Sequence, residues 1–351
     1  MGEGHVGAAR AMAARMRAVW PDTEVTEVET VAGSPRRTRL LEVAYRVVMR
    51  RAPVLYGVAY DVLRRRPRVA AVFQRLGAPA TARALRPVLR RHAPDLVVCT
   101  YPVTSGGLAL LRRRGELTAR TVAVVTDAAV HPFWVWPDVD ETWTMLDAAA
   151  DAVRELAPDA AVRVVPPAVD PRFTPAPPPA REVGHPGLTV LVTGGSLAFG
   201  RLDAVVDAVL AAGDGVRAVV LCGRHEALRQ ALAARRDPRV RALGWTDAVP
   251  AEMAAADVVV TTGGGMIASE ALAVGRPLLF VTPVRGHGRA CAAALAAAGL
   301  ALVCPRPADA TRVVADLLAD PARREGLAAA ARGFSGRDLD GELAALARRT
   351  V

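Results

Sequence analysis

Thr261-Thr-Gly-Gly-Gly-Met-Ile-Ala-Ser-Glu-Ala-Leu-Ala-Val-Gly-Arg-Pro277 decides the reading of this chain. It follows Asp257-Val-Val-Val260 and precedes Leu278-Leu-Phe-Val281, two short apolar runs of the kind that form buried parallel strands. The local reading is strand, glycine turn, helix, strand. A glycine turn that opens a helix presents bare N–H groups and the positive end of a dipole, which suits a phosphate. Glu270 falls one to two turns into that helix, within reach of a ribose held there. A second glycine turn, Leu191-Val-Thr-Gly-Gly-Ser-Leu197, also follows an apolar run. Two such turns can grip one diphosphate from two sides.

The strand–helix rhythm extends in both directions. Beyond the two turns, the second half shows strand patterns at 188–193, 218–222, 240–243, 257–261, 277–281 and 301–303. Helical patterns separate them, and further helices fill 310–349. In the first half, 95–100 and 121–126 read as buried parallel strands, and 140–145, 161–165 and the imperfectly alternating 24–31 as further strands. A long arginine-rich helical stretch, 40–89, is expected to break at Pro53, Pro67 and Pro79. Eight prolines between Pro166 and Pro186 mark a linker. The expected architecture is α/β, with two doubly wound Rossmann-like domains facing a cleft. The first domain covers 1–165, the linker 166–187, and the second domain with its C-terminal helices 188–351.

Composition narrows the function classes. A chain of 351 residues buries two substantial cores. No uninterrupted apolar run is long enough to span a membrane, and the N-terminus does not read as a signal peptide. Four scattered cysteines argue against zinc or a disulfide framework and fit a cytosolic chain. There is no lysine and no asparagine, which excludes a P-loop and Schiff-base chemistry. Between Arg36 and Arg120, 19 arginines face four acids, a net of +15; the whole chain's +10 leaves −5 elsewhere. Such a basic region suits an anionic membrane surface. Nucleic acid is not expected, since no RNP-like or helix-turn-helix pattern accompanies the charge.

At this point the residues resemble the GT-B glycosyltransferases related to monogalactosyldiacylglycerol synthase, diacylglycerol glucosyltransferase and MurG. In the second half the resemblance rests on Leu191–Ser196, Val219–Arg224, Leu243-Gly-Trp-Thr246, Ala255–Val258 and the block from Gly263 to Pro277. In the first half it rests on Gly2-Glu-Gly-His5, Thr126-Asp127 with His131 and Trp134, and Pro167 with Phe173. It implies inverting, metal-independent transfer of a sugar from a nucleotide diphosphate sugar, a UDP-sugar, to a hydroxyl of a lipid such as diacylglycerol. No cofactor is implied beyond that co-substrate. Competing readings are a transferase on a soluble natural product, a sugar-nucleotide epimerase, and a non-catalytic nucleotide-sugar-binding relative. The expected location is cytoplasmic, at the inner face of the plasma membrane.

The resemblance also implies roles. Gly194, Gly195, Ser196, Gly263, Gly264 and Gly265 resemble the diphosphate-facing turns, Glu270 the ribose ligand, and Trp245 the loop beside the base. His5 is similar to the histidine that activates the acceptor, with Asp127 and His131 further catalytic candidates. Where the family carries a Gln/Glu-rich segment ending in Asn, this chain has Pro283–Ala290, so His287 and Arg289 are candidates for the donor-sugar contact. Asp138-Val-Asp140 has the DxD form of metal-dependent glycosyltransferases but lies outside the donor half. The family places an apolar strand before the glycine–histidine loop. The expectation is therefore that such a strand is encoded upstream of Gly2, and that His5 is poorly positioned without it.

Overall fold

The computed structural model describes residues 3–29, 53–177, 179 and 187–350, which form two compact units. The first comprises Met1–Asp170, Arg285–His287 and Asp338–Val351; the second comprises Pro171–Val284 and Gly288–Arg337. The arginines from Arg36 to Arg51 and the linker residues 178 and 180–186 lie outside the described residues.

In the first unit the described elements run α1 (Glu3–Val19), α2 (Pro53–Arg65), α3 (Pro67–His92), β1 (Leu96–Cys99), α4 (Pro102–Arg113), β2 (Arg120–Val124), β3 (Glu141–Thr144), α5 (Asp147–Leu156) and β4 (Val162–Val164). The strands pair in parallel in the order β1-β2-β3-β4. β2 is buried at every position after Arg120, whereas β1, at one edge, is half-buried over Leu96–Val98. Several expectations fail here. Residues 24–29 form no strand, and 30–31 lie outside the described residues. Glu3 to His5 belong to α1 rather than to a loop, and Gly2 is outside the described residues. Pro79 does not break α3, nor does Pro87. The local cost of a helical proline is overridden by packing: α3 lies so close to α4 that a Cβ on Gly107 would meet the Thr81–Ala82 backbone at 2.8 Å.

In the second unit the order is β5 (Leu188–Thr193), α6 (Leu202–Leu210), β6 (Val216–Leu221), α7 (Glu226–Ala234), β7 (Val240–Leu243), α8 (Val249–Ala255), β8 (Val258–Thr261), α9 (Met266–Val274), β9 (Leu278–Val281), α10 (His287–Ala297), β10 (Leu302–Cys304), α11 (Pro307–Ala319) and α12 (Pro321–Ser335). His287, the first residue of α10, is grouped with the first unit. The sheet order is β10-β9-β8-β5-β6-β7, all parallel. Strands are therefore added in one direction from β5 to β7 and in the other from β8 to β10, which makes the β5–β8 boundary the switch point of a doubly wound sheet. Central β8 and β9 are buried at every position and read as continuous apolar runs, whereas the edge strand β7 is half-exposed. Each fully buried valine or leucine in this core contributes roughly 1.5–3 kcal/mol.

The last helix, α13 (Leu339–Thr350), was expected with the second domain and belongs to the first unit. Leu339, Leu343 and Leu346 lie on one helical face and share a core with Ala11, Met12, Val122, Val124 and Trp143. A buried charge cluster adds to that packing. Glu141, 3% exposed, meets Arg120 (2.7 Å), Arg163 (3.2 Å) and Arg349 (3.1 Å), and accepts a bond from the Trp143 indole N–H (3.0 Å). Burial alone pushes this carboxyl up, but the Trp143 and Arg120 bonds outweigh it and hold its pKa below the usual value.

Candidate functional site

In the second unit both glycine turns leave the carboxyl ends of the adjacent strands β5 and β8, where Thr193 and Thr261 are register partners. The turns are built alike. The Thr193 hydroxyl accepts from the Gly195 N–H (3.1 Å), and the Thr261 hydroxyl accepts from the Gly263 N–H (3.0 Å). The Thr262 N–H donates to the Thr193 carbonyl (3.2 Å) and its hydroxyl to the Phe199 carbonyl, which ties one turn to the other. A Cβ on Gly194 would strike the Phe199 carbonyl, so the first turn closes only around glycine. Gly265, at φ 62° and ψ −124°, is the N-cap of α9, and no side chain caps that helix. The Ala268 N–H, one of the amides a cap would satisfy, donates instead to the Gly265 carbonyl (3.0 Å), and the positive end of the helix lies at the mouth of the turn.

A second helix end reaches the same place. The Val284 N–H donates to the Thr262 carbonyl (2.9 Å), and a Cβ on Gly264 would lie 3.2 Å from the Gly288 Cα. The starts of α9 and α10 thus converge on the 262–265 turn. Two dipole ends there favour an anion by roughly 0.3–1 kcal/mol each. Sequence reasoning missed Gly288 and the threonines Thr193, Thr261 and Thr262; the signal was a Thr directly or one residue before Gly at both strand ends.

The other donor-side candidates are distributed around this mouth and beyond it. Ser196 is half-buried in the first turn. Glu270 is half-buried in α9, a helix whose residues from Ala268 to Val274 are otherwise buried. It stands about 6 Å along the axis from Met266. Trp245 follows β7 and is 54% exposed, with the Arg224 guanidinium 4.2 Å over its ring. Arg289 is exposed in the first turn of α10, two residues after half-buried His287.

In the first unit His5, Thr100, Thr126, Asp127 and His131 meet beyond the carboxyl ends of β1 and β2. His5 Nδ1 lies 2.9 Å from the Thr100 carbonyl and 3.1 Å from the Thr126 hydroxyl, and the Thr100 hydroxyl donates back to the His5 carbonyl (3.0 Å). A carbonyl only accepts, so Nδ1 carries the proton and Nε2 keeps its lone pair. Tyr101 and Trp134 flank the ring at centroid distances of 5.0 and 6.0 Å. His5 is therefore held in place, contrary to the expectation that it would be badly positioned. Burial lowers its pKa and outweighs the upward pull of the Asp127 charge, so the imidazole is neutral at pH 7.

His131 is buried, 7% exposed, and caps a short 3-10 turn, Pro132–Trp134. Its Nδ1 accepts from the Phe133 N–H (3.2 Å), so Nε2 bears the hydrogen, and that atom is buried. Burial lowers its pKa to about 4, against weaker upward pulls from the Tyr60 backbone and Asp127. The Tyr60 ring packs against it, tilted by 45° at a centroid distance of 4.6 Å, and Gln74 donates to the Pro132 carbonyl (2.8 Å). These two helix residues were not anticipated from the sequence. The DxD carboxylates are occupied: Asp138 pairs with Arg113 and Asp140 with Arg112, each at 2.6 Å. Among the described residues no group of three His, Cys, Asp or Glu side chains is placed to hold a metal.

Comparison with known proteins assigns each half. Residues 5–160 match the monogalactosyldiacylglycerol (MGDG) synthase family, and residues 189–336 match the glycosyltransferase family 28 C-terminal domain. Processive diacylglycerol beta-glucosyltransferases are similar to it: that of Bacillus subtilis is 28% identical over 240 residues, 65% of this chain and 62% of that protein. That of Bacillus pumilus is 25% identical over 252 residues, 68% of this chain and 64% of that protein. The chain thus spans less than two thirds of the length of these relatives. Among solved structures, Acinetobacter baumannii MurG shares the fold at TM-score 0.54, with 18% identity over 77% of each chain. Anabaena Alr3699/HepE, solved with UDP, does so at 0.51, with 14% identity, covering 77% of this chain and 81% of that one. The chain belongs to the GT-B glycosyltransferases of the monogalactosyldiacylglycerol synthase, diacylglycerol glucosyltransferase and MurG-like family.

Proposed function

We propose that this protein transfers a sugar from a uridine diphosphate sugar to a hydroxyl of a lipid of the diacylglycerol class, with inversion and without a metal ion. One observation carries the reading. The two glycine turns stand side by side at the switch point of the second unit, beneath an uncapped helix start. The names of the relatives supply the acceptor class and make UDP-glucose the first donor to test.

In this reading the amides of the 194–196 and 263–265 turns face the diphosphate, Glu270 takes the ribose hydroxyls, and Trp245 lies beside the base. His287 and Arg289 are the candidates near the sugar. In the first unit His5 Nε2 takes the proton of the acceptor hydroxyl as its oxygen bonds the anomeric carbon. The bond from that carbon to the diphosphate breaks, and the diphosphate leaves with the electron pair. Fixed amides and helix dipoles stabilise the departing charge, the largest single contribution expected in such a site. Asp127 favours the imidazolium that forms, and its charge reaches His131 as well. The arginine excess of the first half supports a reaction at an anionic membrane surface. No helix among the described residues is long and apolar enough to cross a membrane.

The test is incubation of the purified chain with radiolabelled UDP-glucose and diacylglycerol in mixed anionic vesicles containing a chelator. The reading expects a labelled glycolipid of inverted anomeric configuration. Failure to bind any uridine nucleotide would overturn it.

A further inference from the structure

His5 stands in the first turn of α1, and its ring nitrogen is met by the ends of two neighbouring strands. β1 and β2 are parallel, with Cys99 opposite Ala123. The chain leaving β1 supplies the Thr100 carbonyl, 2.9 Å from His5 Nδ1. The chain leaving β2 supplies the Thr126 hydroxyl, 3.1 Å from the same atom. A carbonyl has no hydrogen to give, so Nδ1 bears the hydrogen and the Thr126 oxygen accepts as well. One N–H thus faces two acceptors, a three-centre bond.

The carbonyl sets the tautomer, and the hydroxyl sets the ring plane. An imidazole turns about its Cβ–Cγ bond in a broad torsional well, so one hydrogen bond leaves the ring free to swing about that contact. A second acceptor, reached from another strand, fixes the plane and with it the direction of the Nε2 lone pair. The backbone is held separately, since the His5 carbonyl accepts from the Thr100 hydroxyl (3.0 Å). The flanking rings do not clamp the plane between parallel faces: Tyr101 lies at 69° to the imidazole and Trp134 at 53°.

The hydroxyl also suits the chemistry. It is neutral, so it orients the ring without favouring the charged form in advance, as a carboxylate there would. When Nε2 takes the acceptor proton, Nδ1–H becomes a charged donor. Bonds from a charged donor are roughly twice as strong as neutral ones. The Thr126 bond therefore strengthens as transfer proceeds, which acts on the barrier rather than on substrate binding. Neither a carbonyl nor a hydroxyl is basic enough to take the Nδ1 proton, so the proton gained stays on Nε2 until water removes it.

We infer that Thr126 is the positioning residue of the base: its hydroxyl fixes the plane of the His5 ring so that Nε2 meets the acceptor hydroxyl, and its bond tightens as the ring takes up charge. This role rests on the reading of His5 as the base.

The experiment is a double-mutant cycle on the full chain, with transfer from UDP-glucose to diacylglycerol as the assay. Thr126→Val keeps the branched shape and removes only the hydroxyl; Thr126→Ala takes its place where the valine variant does not fold. Thr126→Val is expected to lower kcat about ten-fold, with KM for both substrates within about two-fold of wild type. Thr126→Ser should restore most of the rate. Combined with His5→Ala, Thr126→Val should cost nothing further. Equal losses with and without His5 overturn the inference, since a purely structural role is felt in both backgrounds. So do an unchanged kcat, a loss confined to KM, or a serine variant as slow as valine. Transfer that survives His5→Ala intact removes the base and its positioning residue together. Nitrogen-15 NMR of the histidine rings reads the contact without turnover, with His5→Gln identifying the His5 signals. Wild type should carry the hydrogen on Nδ1, and that signal should shift in Thr126→Val and return in Thr126→Ser. A His5 signal indifferent to both substitutions overturns the inference. The expected shifts in a chain that transfers no glucose refute the proposed function and leave the Thr126 clamp on His5 standing.

Discussion

Replacing His131 by asparagine isolates one ionisation from the rest of the fold. The buried imidazole has its pKa lowered from 6.5 to about 4. As pH falls through 6.5 the unfolded chain takes up a proton there, and the folded unit does not follow until pH approaches 4. The stability linked to this group is therefore fully present above pH 6.5 and is lost below it. From the two pKa values, the loss between pH 7 and pH 4.5 is about 2 kcal/mol. Asparagine keeps the local bond, because its side-chain oxygen replaces Nδ1 as acceptor for the Phe133 N–H. Depressed carboxylates such as Glu141 titrate alike in both proteins and cancel. The assay is urea unfolding of both at pH 7 and pH 4.5, followed by tryptophan fluorescence. Trp134, Trp136 and Trp143 are buried in the first unit and report on it. Wild type is expected to lose about 2 kcal/mol more than His131→Asn over that interval. Equal losses would refute the claim that His131 is buried and neutral.

Three further outcomes are expected. Glu270→Ala lowers UDP affinity about 10- to 100-fold by calorimetry, the worth of one charged hydrogen bond, and unchanged affinity removes Glu270 from the ribose. His5→Ala leaves UDP affinity intact and cuts transfer about 10²- to 10⁴-fold, the usual contribution of a general base. Because burial lowers the His5 pKa, the wild-type rate should stay level from pH 7 to 8 and fall only below pH 6.5; a rate that climbs through pH 8 contradicts that role. Glu141→Gln leaves Arg120, Arg163 and Arg349 without their shared carboxylate. It should destabilise the first unit by about 3 kcal/mol, the low end for a broken buried pair because the arginines are partly solvated. Thermal unfolding measures the change.

Much of the second unit was legible because its signals are local. Short apolar runs mark β5, β8 and β9, and the glycines after Thr193 and Thr262 mark the turns. Their adjacency was not legible, since strand order is set by crossovers that no local pattern records. The same holds for Gly288, which matters only because α10 starts beside Gly264. In the first unit the errors share one cause. Pro79 breaks no helix because packing against α4 overrides local propensity, and α13 joins the first unit because its leucine face fits beside α1 and β2. His5 was visible as a candidate, but its clamp by Thr100 and Thr126 comes from residues about 95 and 121 positions away.

The central claim is that adjacent glycine turns hold the diphosphate of a donor whose sugar passes to a lipid. Gly264→Val tests it most directly, because a side chain there meets Gly288 and Cys291 and fills the mouth of the turn. Transfer of radiolabelled glucose from UDP-glucose to diacylglycerol, measured with UDP binding on the same samples, gives the answer. The account predicts labelled glycolipid from wild type, and joint loss of UDP binding and transfer in a Gly264→Val protein that still unfolds cooperatively. UDP binding that survives Gly264→Val unchanged would contradict it.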